Sequence, residues 1–398
     1  MLSSRIISKY PIVLCPGFCG SKLVLDKCHV DTSLKKAAIK NKILVKNDFV
    51  NLNMFDSGWQ EKFSLKYDPT IGYAINDSID VHDFGGVEGL RNLCDDCGRI
   101  DNVFNYLFRT EVINKVYHYK YFDLLIGRLE EFGYEPSVNL FGAPYDFRKI
   151  MVIDYLELYF KKLKLLIENA FDKENKKVVI VSHSIGCLIT YFFLVNYCDR
   201  HWKNKYIQKF VSVAGPYGGC SVALRTFISG IPNLNLLKDR YGSVIQNSTG
   251  LILALPNECG YNKHDLLIYN EADCKRYSIL NYPELLPDTS QHIFNTIVKS
   301  VIASFHKNTH VPTTFVTTLD QQTQYSYVYN DLHDGTLNEP KTVFTRCAGD
   351  NVIHAKSLLF HKLSYKFVSN YAFVHILNSE HTKILHTKEL FDIIVNNT

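Results

Sequence analysis

The sequence predicts an α/β fold, a parallel sheet wrapped by helices, and three observations carry that expectation. Val178-Val179-Ile180-Val181 is a run of four β-branched residues, the pattern of a short strand buried on both faces. Ile185 to Leu194 continues as an apolar segment of helix length, with Ser184 at the join. Around this join lie an earlier helical pattern, Ile153 to Phe171, and a later strand, Phe210-Val211-Ser212-Val213-Ala214. Strand, helix, serine join, helix and strand in that order describe a parallel sheet.

A serine at a tight strand-to-helix turn reads as a nucleophile elbow. The turn holds Oγ clear of the sheet at a helix N-terminus, where the next residue's N–H faces any oxyanion that forms. The usual pattern is G-x-S-x-G; here Ser182 occupies the first glycine position and Gly186 the last. The plainer alternative is a buried strand followed by a serine-capped helix.

Composition narrows the classes. With 398 residues and 46% hydrophobic content the chain can bury a large core. The net charge is only +4 with Lys and Arg scattered, so no nucleic-acid partner is expected. The 25 Phe and 25 Tyr suit an apolar ligand or simply a core. The 11 cysteines form no dense framework and read as mostly free thiols. Cys94-Asp95-Asp96-Cys97 is a lone CxxC, so no metal site and no cofactor are expected. Met1 to Tyr10 carries Arg5 and Lys9 without an apolar run, so no secretory leader is expected. No later stretch reaches the roughly 18 apolar residues of a membrane span.

In chain order, Tyr10 to Cys15 reads as the first buried strand, broken at Pro16-Gly17-Phe18-Cys19-Gly20-Ser21. A glycine-bearing loop there either supplies the second half of an oxyanion hole or simply ends the strand. Lys22 to Tyr73 is irregular and carries Leu52, Met54, Phe55, Trp59 and Phe63, fitting either a membrane-contacting excursion or a small folded insertion. Asp123 to Phe132 reads as an amphipathic helix with Leu124, Leu125, Leu129 and Phe132 on one side. Asp146 and Arg148 read as an ion pair anchoring the turn after Asn139 to Gly142. Ile153 to Phe171 turns Leu156, Tyr159, Phe160, Leu163, Leu166 and Ile167 inward. From about 220 to 315 the rhythm is lost, as in a cap inserted into the sheet domain, its mobile part near Asn233 to Gly250. The sheet resumes at Pro312 to Thr318 and ends at Tyr371 to Leu377.

A serine nucleophile needs a base and a group to orient the base, in the chain order serine, acid, histidine. Asp350, in the turn after the strand Lys341 to Thr345, and His381, after the last strand, fit that order. His354, His375 and His386 compete with His381, and His375 lies inside a strand. Asp334 competes with Asp350 but precedes Gly335, as in a hairpin turn.

Taken together, Pro16-Gly17-Phe18-Cys19-Gly20-Ser21-Lys22-Leu23, Leu52-Asn53-Met54-Phe55 with Trp59, Phe141-Gly142-Ala143-Pro144-Tyr145-Asp146-Phe147-Arg148, His183-Ser184-Ile185-Gly186-Cys187, Ala214-Gly215-Pro216-Tyr217-Gly218-Gly219, Gly349-Asp350 and His381 resemble the lecithin:cholesterol acyltransferase family over nearly the whole chain. The resemblance implies an α/β-hydrolase core (1–21, 76–219 and 316–398), a membrane-binding insertion (22–75) and a cap (220–315). It implies Ser184 as nucleophile, Asp350 as acid, His381 as base, the N–H groups of Cys19 and Ile185 as oxyanion hole, and Met54, Phe55 and Trp59 at the membrane. The implied reaction moves a fatty acyl group from a glycerophospholipid to a lipid alcohol (a sterol or diacylglycerol) or to water, by a monomer at a phospholipid membrane surface.

Two departures from the family stand out. Gly58, Val316 and Leu359 lie near where secreted animal members carry disulfide cysteines, and Asn351-Val352-Ile353 follows the acid where the family has a small residue, Thr and Val. With no leader visible, a reducing, cytoplasmic setting with peripheral membrane association is expected, the endomembrane lumen staying open. A soluble carboxylesterase and a catalytically inactive lipid binder remain as alternatives.

Overall fold

The computed structural model describes residues 9–25, 65, 67–68, 72–73, 79–91, 121–229, 248–332, 339–346, 348–364 and 368–396. Its centre is a six-stranded, all-parallel sheet built from β1 (Ile12–Cys15), β6 (Leu140–Gly142), β7 (Val178–His183), β8 (Ile207–Val213), β11 (Thr313–Thr317) and β14 (Tyr371–His375), in the order β14-β11-β8-β7-β1-β6. Every residue of β1 and β7 is buried. That is why their sequences read as continuous apolar runs rather than alternating ones. Each of the four β-branched side chains of β7 contributes roughly 1.5–3 kcal/mol of transfer free energy, before the entropy of ordering the chain is counted.

The strand order positions the site. From β1 the chain crosses to β6 on one side, and it then returns to β7 on the other, so growth of the sheet reverses at β1. In open α/β sheets the crevice forms at such a switch point, beyond the carboxyl ends of the strands. Here those ends carry Pro16 to Ser21 after β1 and Ser184 after β7.

The helices follow their periodicity. The helix α2 (Ile153–Glu174) buries Leu156, Tyr159, Phe160, Leu163, Leu166, Ile167 and Ala170 and ends at Asn175, whose left-handed φ of 48° halts the helix. In α1 (Asp123–Glu131) the buried residues are Leu125, Ile126 and Leu129, while Leu124 faces outward. Of the expected stripe Leu125 and Leu129 are buried and Phe132 packs half-buried against the core, while Ile126 takes the inward place expected for Leu124. α3 (Ile185–Phe192) starts directly from β7 and is buried along seven of its residues.

A second, four-stranded sheet joins regions the sequence keeps apart. It runs β10-β9-β12-β13, with β9 (Ile268–Asn270) and β10 (Lys275–Tyr277) from the 220–315 segment and β12 (Thr323–Tyr329) and β13 (Thr342–Arg346) from beyond residue 316. The strand before Asp350 therefore belongs to this sheet and not to the central one. A short ribbon pairs β2 (Leu23–Leu25) with β5 (Ile79–Val81), antiparallel with Leu25 opposite Ile79. A smaller ribbon of β3 (Tyr67–Asp68) and β4 (Gly72–Tyr73) lies between them in the chain. Met54, Phe55, Trp59, Asp334, the Cys94/Cys97 pair and residues 230–247 lie outside the described residues. Among the described residues, no helix is long and apolar enough to cross a membrane.

Candidate active site

Ser184 ends β7 with φ 54° and ψ −131°, a conformation that costs a non-glycine residue about 1–3 kcal/mol. The surroundings hold it there. Its N–H donates to the Val213 carbonyl at 2.9 Å, and its own carbonyl accepts from Cys187 N–H at 2.9 Å. The last glycine of the motif is required by contact, since a Cβ on Gly186 would stand 2.1 Å from the Pro16 carbonyl oxygen. The first position tolerates Ser182 because its hydroxyl pairs with Thr190 on α3 at 2.8 Å.

His381 lies on the loop after β14. Its Nε2 is 3.0 Å from Ser184 Oγ and its Nδ1 is 2.7 Å from Asp350 Oδ2. The ionised carboxylate can only accept, so Nδ1 carries the proton and Nε2 presents a lone pair to the serine hydroxyl. His381 N–H also donates to the Asp350 carbonyl at 2.8 Å. Asp350 Oδ1 accepts from the N–H groups of Val352 at 3.0 Å and Ile353 at 2.6 Å. A fully buried carboxylate thus has a donor on each oxygen. The unusual Asn351-Val352-Ile353 serves the acid through its main chain. Asn351 supplies the left-handed turn at φ 80° and donates its N–H to Thr323 Oγ1 at 3.1 Å.

The acid loop is tied to the central sheet by a bypass. Gly349 N–H donates to the Leu319 carbonyl at 3.2 Å and Gln321 N–H to the Gly349 carbonyl at 2.9 Å, just past the end of β11. Asp350 is thereby placed at the carboxyl edge of the central sheet although its preceding strand lies elsewhere. The competing histidines have other partners: His375 faces Asp320 at 3.3 Å, His386 Nε2 donates to the Tyr121 carbonyl at 3.0 Å, and His354 Nδ1 accepts from Lys356 N–H. Ser184 as a whole residue is buried, at 9% exposed, more than an elbow leads one to expect.

The loop after β1 approaches the serine closely. A Cβ on Gly17 would come within 2.7 Å of Ser184 Cβ. Gly20 N–H closes the turn on the Gly17 carbonyl at 3.1 Å, leaving Cys19 at φ 55°. Among the described residues, neither Cys19 N–H nor Ile185 N–H has a hydrogen-bond acceptor. Burial, with the Asp146 carboxylate adding to it, pushes the Cys19 thiol well above its ordinary pKa, which disfavours the thiolate. Asp146 and Arg148 form the buried turn anchor, Nη2 to Oδ2 at 2.5 Å, with Lys149 at 3.3 Å from the same oxygen. Burial opposes the charge on Asp146, and the Arg148 guanidinium overrides it, holding the carboxyl below its usual range.

Two residues that sequence reasoning did not single out complete the site. His183, inside the elbow motif, places Nδ1 2.8 Å from the Tyr121 hydroxyl and Nε2 2.8 Å from the His381 carbonyl. Tyr121 Oη accepts from Gly17 N–H at 2.8 Å. A histidine beside the motif serine was a visible signal; Tyr121 gave none.

A serine on a strained strand-to-helix turn at the switch point of a parallel sheet, with histidine and carboxylate in line, defines the α/β-hydrolase fold. The lecithin:cholesterol acyltransferase family model matches residues 99–393. The chain belongs to that family. It is 31% identical over 172 residues to the lysosomal phospholipase A and acyltransferase of Canis lupus familiaris, covering 42% of this chain and 40% of that protein. It is 27% identical over 257 residues to the phosphatidylcholine-sterol acyltransferase of Mus musculus, covering 62% and 53%. The chain thus spans about half or less of the length of these relatives. Among solved structures, the Tle4-Tli4 complex overlays with a TM-score of 0.49 and 11% identity over 98% of each chain.

Proposed function

We propose that this chain transfers a fatty acyl group from a glycerophospholipid through Ser184, and the single observation carrying the reading is the Ser184–His381–Asp350 hydrogen-bond line on the strained elbow. His381 Nε2 takes the hydroxyl proton as Oγ attacks the ester carbonyl, and the resulting oxyanion accepts from the N–H groups of Cys19 and Ile185. Collapse breaks the ester bond, and His381 returns the proton to the departing lysophospholipid oxygen. An acceptor hydroxyl, from a sterol, a diacylglycerol or water, then gives its proton to His381 and takes the acyl group, and His381 returns that proton to Ser184 Oγ as its ester bond breaks.

The donor class is supported by family membership and by the names of the relatives, which speak of phospholipase and of acyl transfer to a sterol. Met54, Phe55 and Trp59 are assigned to the membrane surface, and the 220–315 segment to a cap that keeps water from the acyl-enzyme. The chain acts as a monomer at that surface. The word lysosomal in a relative's name favours a lumenal setting over the cytoplasmic one expected from the sequence.

The test is incubation with phosphatidylcholine vesicles containing a sterol, a diacylglycerol and a ceramide, followed by mass spectrometry of the products. A new acylated neutral lipid or ceramide that is absent with Ser184→Ala is the expected result. Lysophospholipid and free fatty acid alone make water the acceptor. Hydrolysis of short soluble esters that vesicles do not accelerate would instead identify a carboxylesterase.

A further inference from the structure

His183 is 1% exposed and cannot be read as a solvated neighbour of the serine. Its two ring nitrogens have unequal partners. The His381 carbonyl can only accept, so Nε2 carries a proton and donates to it. In the neutral ring Nδ1 is then an acceptor, and the Tyr121 hydroxyl must donate to it. The Tyr121 oxygen in turn accepts the Gly17 N–H. One ordered chain therefore runs from Gly17 N–H to Tyr121 Oη–H to His183 Nδ1, and onward from His183 Nε2–H to the His381 backbone. Burial, and then the neighbouring His381, push the His183 pKa well below the usual histidine range, with His386 adding to the effect. Among the described residues, Tyr121, His381 and His386 are the titratable groups that act on it.

The three loops this chain ties together are those that end β1, β7 and β14. They carry the oxyanion side, the nucleophile and the base. Each is short and irregular, and each needs its main chain held within a fraction of an ångström for the reaction geometry to survive. We infer that His183 and Tyr121 are positioning residues, clamping the Gly17–Cys19 loop and the His381 backbone onto the elbow as one unit. This inference rests on the reading that Ser184 is the acylated residue.

The arms of the clamp separate by substitution. In His183→Gln the side-chain amide nitrogen can still donate toward the His381 carbonyl but nothing occupies the Nδ1 position. Tyr121→Phe keeps the ring packing and removes both hydroxyl bonds. Each variant is expected to lower kcat about tenfold with KM within about twofold, and the double variant to fall no further than the lower single, because both cut the same link. His183→Leu removes both arms and is expected to lower kcat about 10²-fold. Thermal unfolding of Tyr121→Phe alongside the kinetics checks that the loss is not unfolding. Wild-type kcat in Tyr121→Phe overturns the inference, as does a multiplicative loss in the double variant. Ser184→Ala, assayed in parallel on the same vesicles, distinguishes the two failures. Full activity there overturns the serine reading and this inference together. Loss there with unchanged Tyr121→Phe overturns this inference alone.

Discussion

Ser184 stands at the end of a strand buried on both faces, while Asp350 follows β13, a strand of another sheet whose residues are mostly exposed. Both reach His381. The serine is held by the core itself: strand pairing on two sides, α3 starting at once, and contacts so tight that Gly17 and Gly186 admit no Cβ. The acid is held by main-chain hydrogen bonds: Gly349 beside it donates to the Leu319 carbonyl and accepts from Gln321, and Val352 and Ile353 donate to its carboxylate. The difference shows that one site can combine a position fixed by packing with a position fixed by backbone bonding. The first is intolerant of shape, and the second takes its donors from the main chain but still needs Gly349, where a Cβ would stand 2.1 Å from Thr323 Oγ1.

The largest effect that would test this comparison is Ser184→Ala, expected to lower kcat on phospholipid vesicles by about 10⁶ while leaving the unfolding temperature nearly unchanged. Asp350→Asn is expected to cost about 10⁴ in kcat, since His381 would lose the acceptor that fixes its tautomer; activity within tenfold of wild type would remove Asp350 from the site. Gly17→Ala sharpens the packing half, because its methyl would press on Ser184 Cβ at 2.7 Å. A loss of about 10²-fold in acylation rate, read with a fluorophosphonate probe, is expected. Asn351→Gly tests the other half. It keeps the left-handed turn at φ 80° and both carboxylate donors, so kcat is expected within about twofold, and a large loss would show that the acid loop depends on the Asn351 side chain.

The smallest effect is on stability. His183, His354 and His361 have folded pKa values lowered by burial, His354 to about 4. The unfolded chain binds protons at these positions once the pH falls below about 6.5 and the folded chain does not. Stability is therefore fully present above that value and declines as the pH falls toward 4. Calorimetry from pH 7.5 to 5 should show the melting temperature falling, less steeply in His183→Gln. A flat profile would contradict the burial of these rings.

The elbow was legible because everything that specifies it is local: a β-branched run, a small residue, a serine and Gly186 within a few positions. The α2 face was legible for the same reason, its period being written in consecutive turns. The chain order of Asp350 and His381 was readable, but the route to the acid was not. Pairing of β12 with β9 joins residues far apart in sequence, and no periodicity records it. Tyr121 was invisible because its role depends on His183, which lies 62 positions later. In α1 most of the inward stripe was readable, and only Leu124 gives way to Ile126.

The β2–β5 ribbon sets Leu25 directly opposite Ile79. The pairing brings the two ends of residues 26–78 together through main-chain hydrogen bonds, while Leu65 within that segment is buried in the core. Because closing even a long loop costs little more than closing a short one, the length of this segment adds little to the entropic cost of folding.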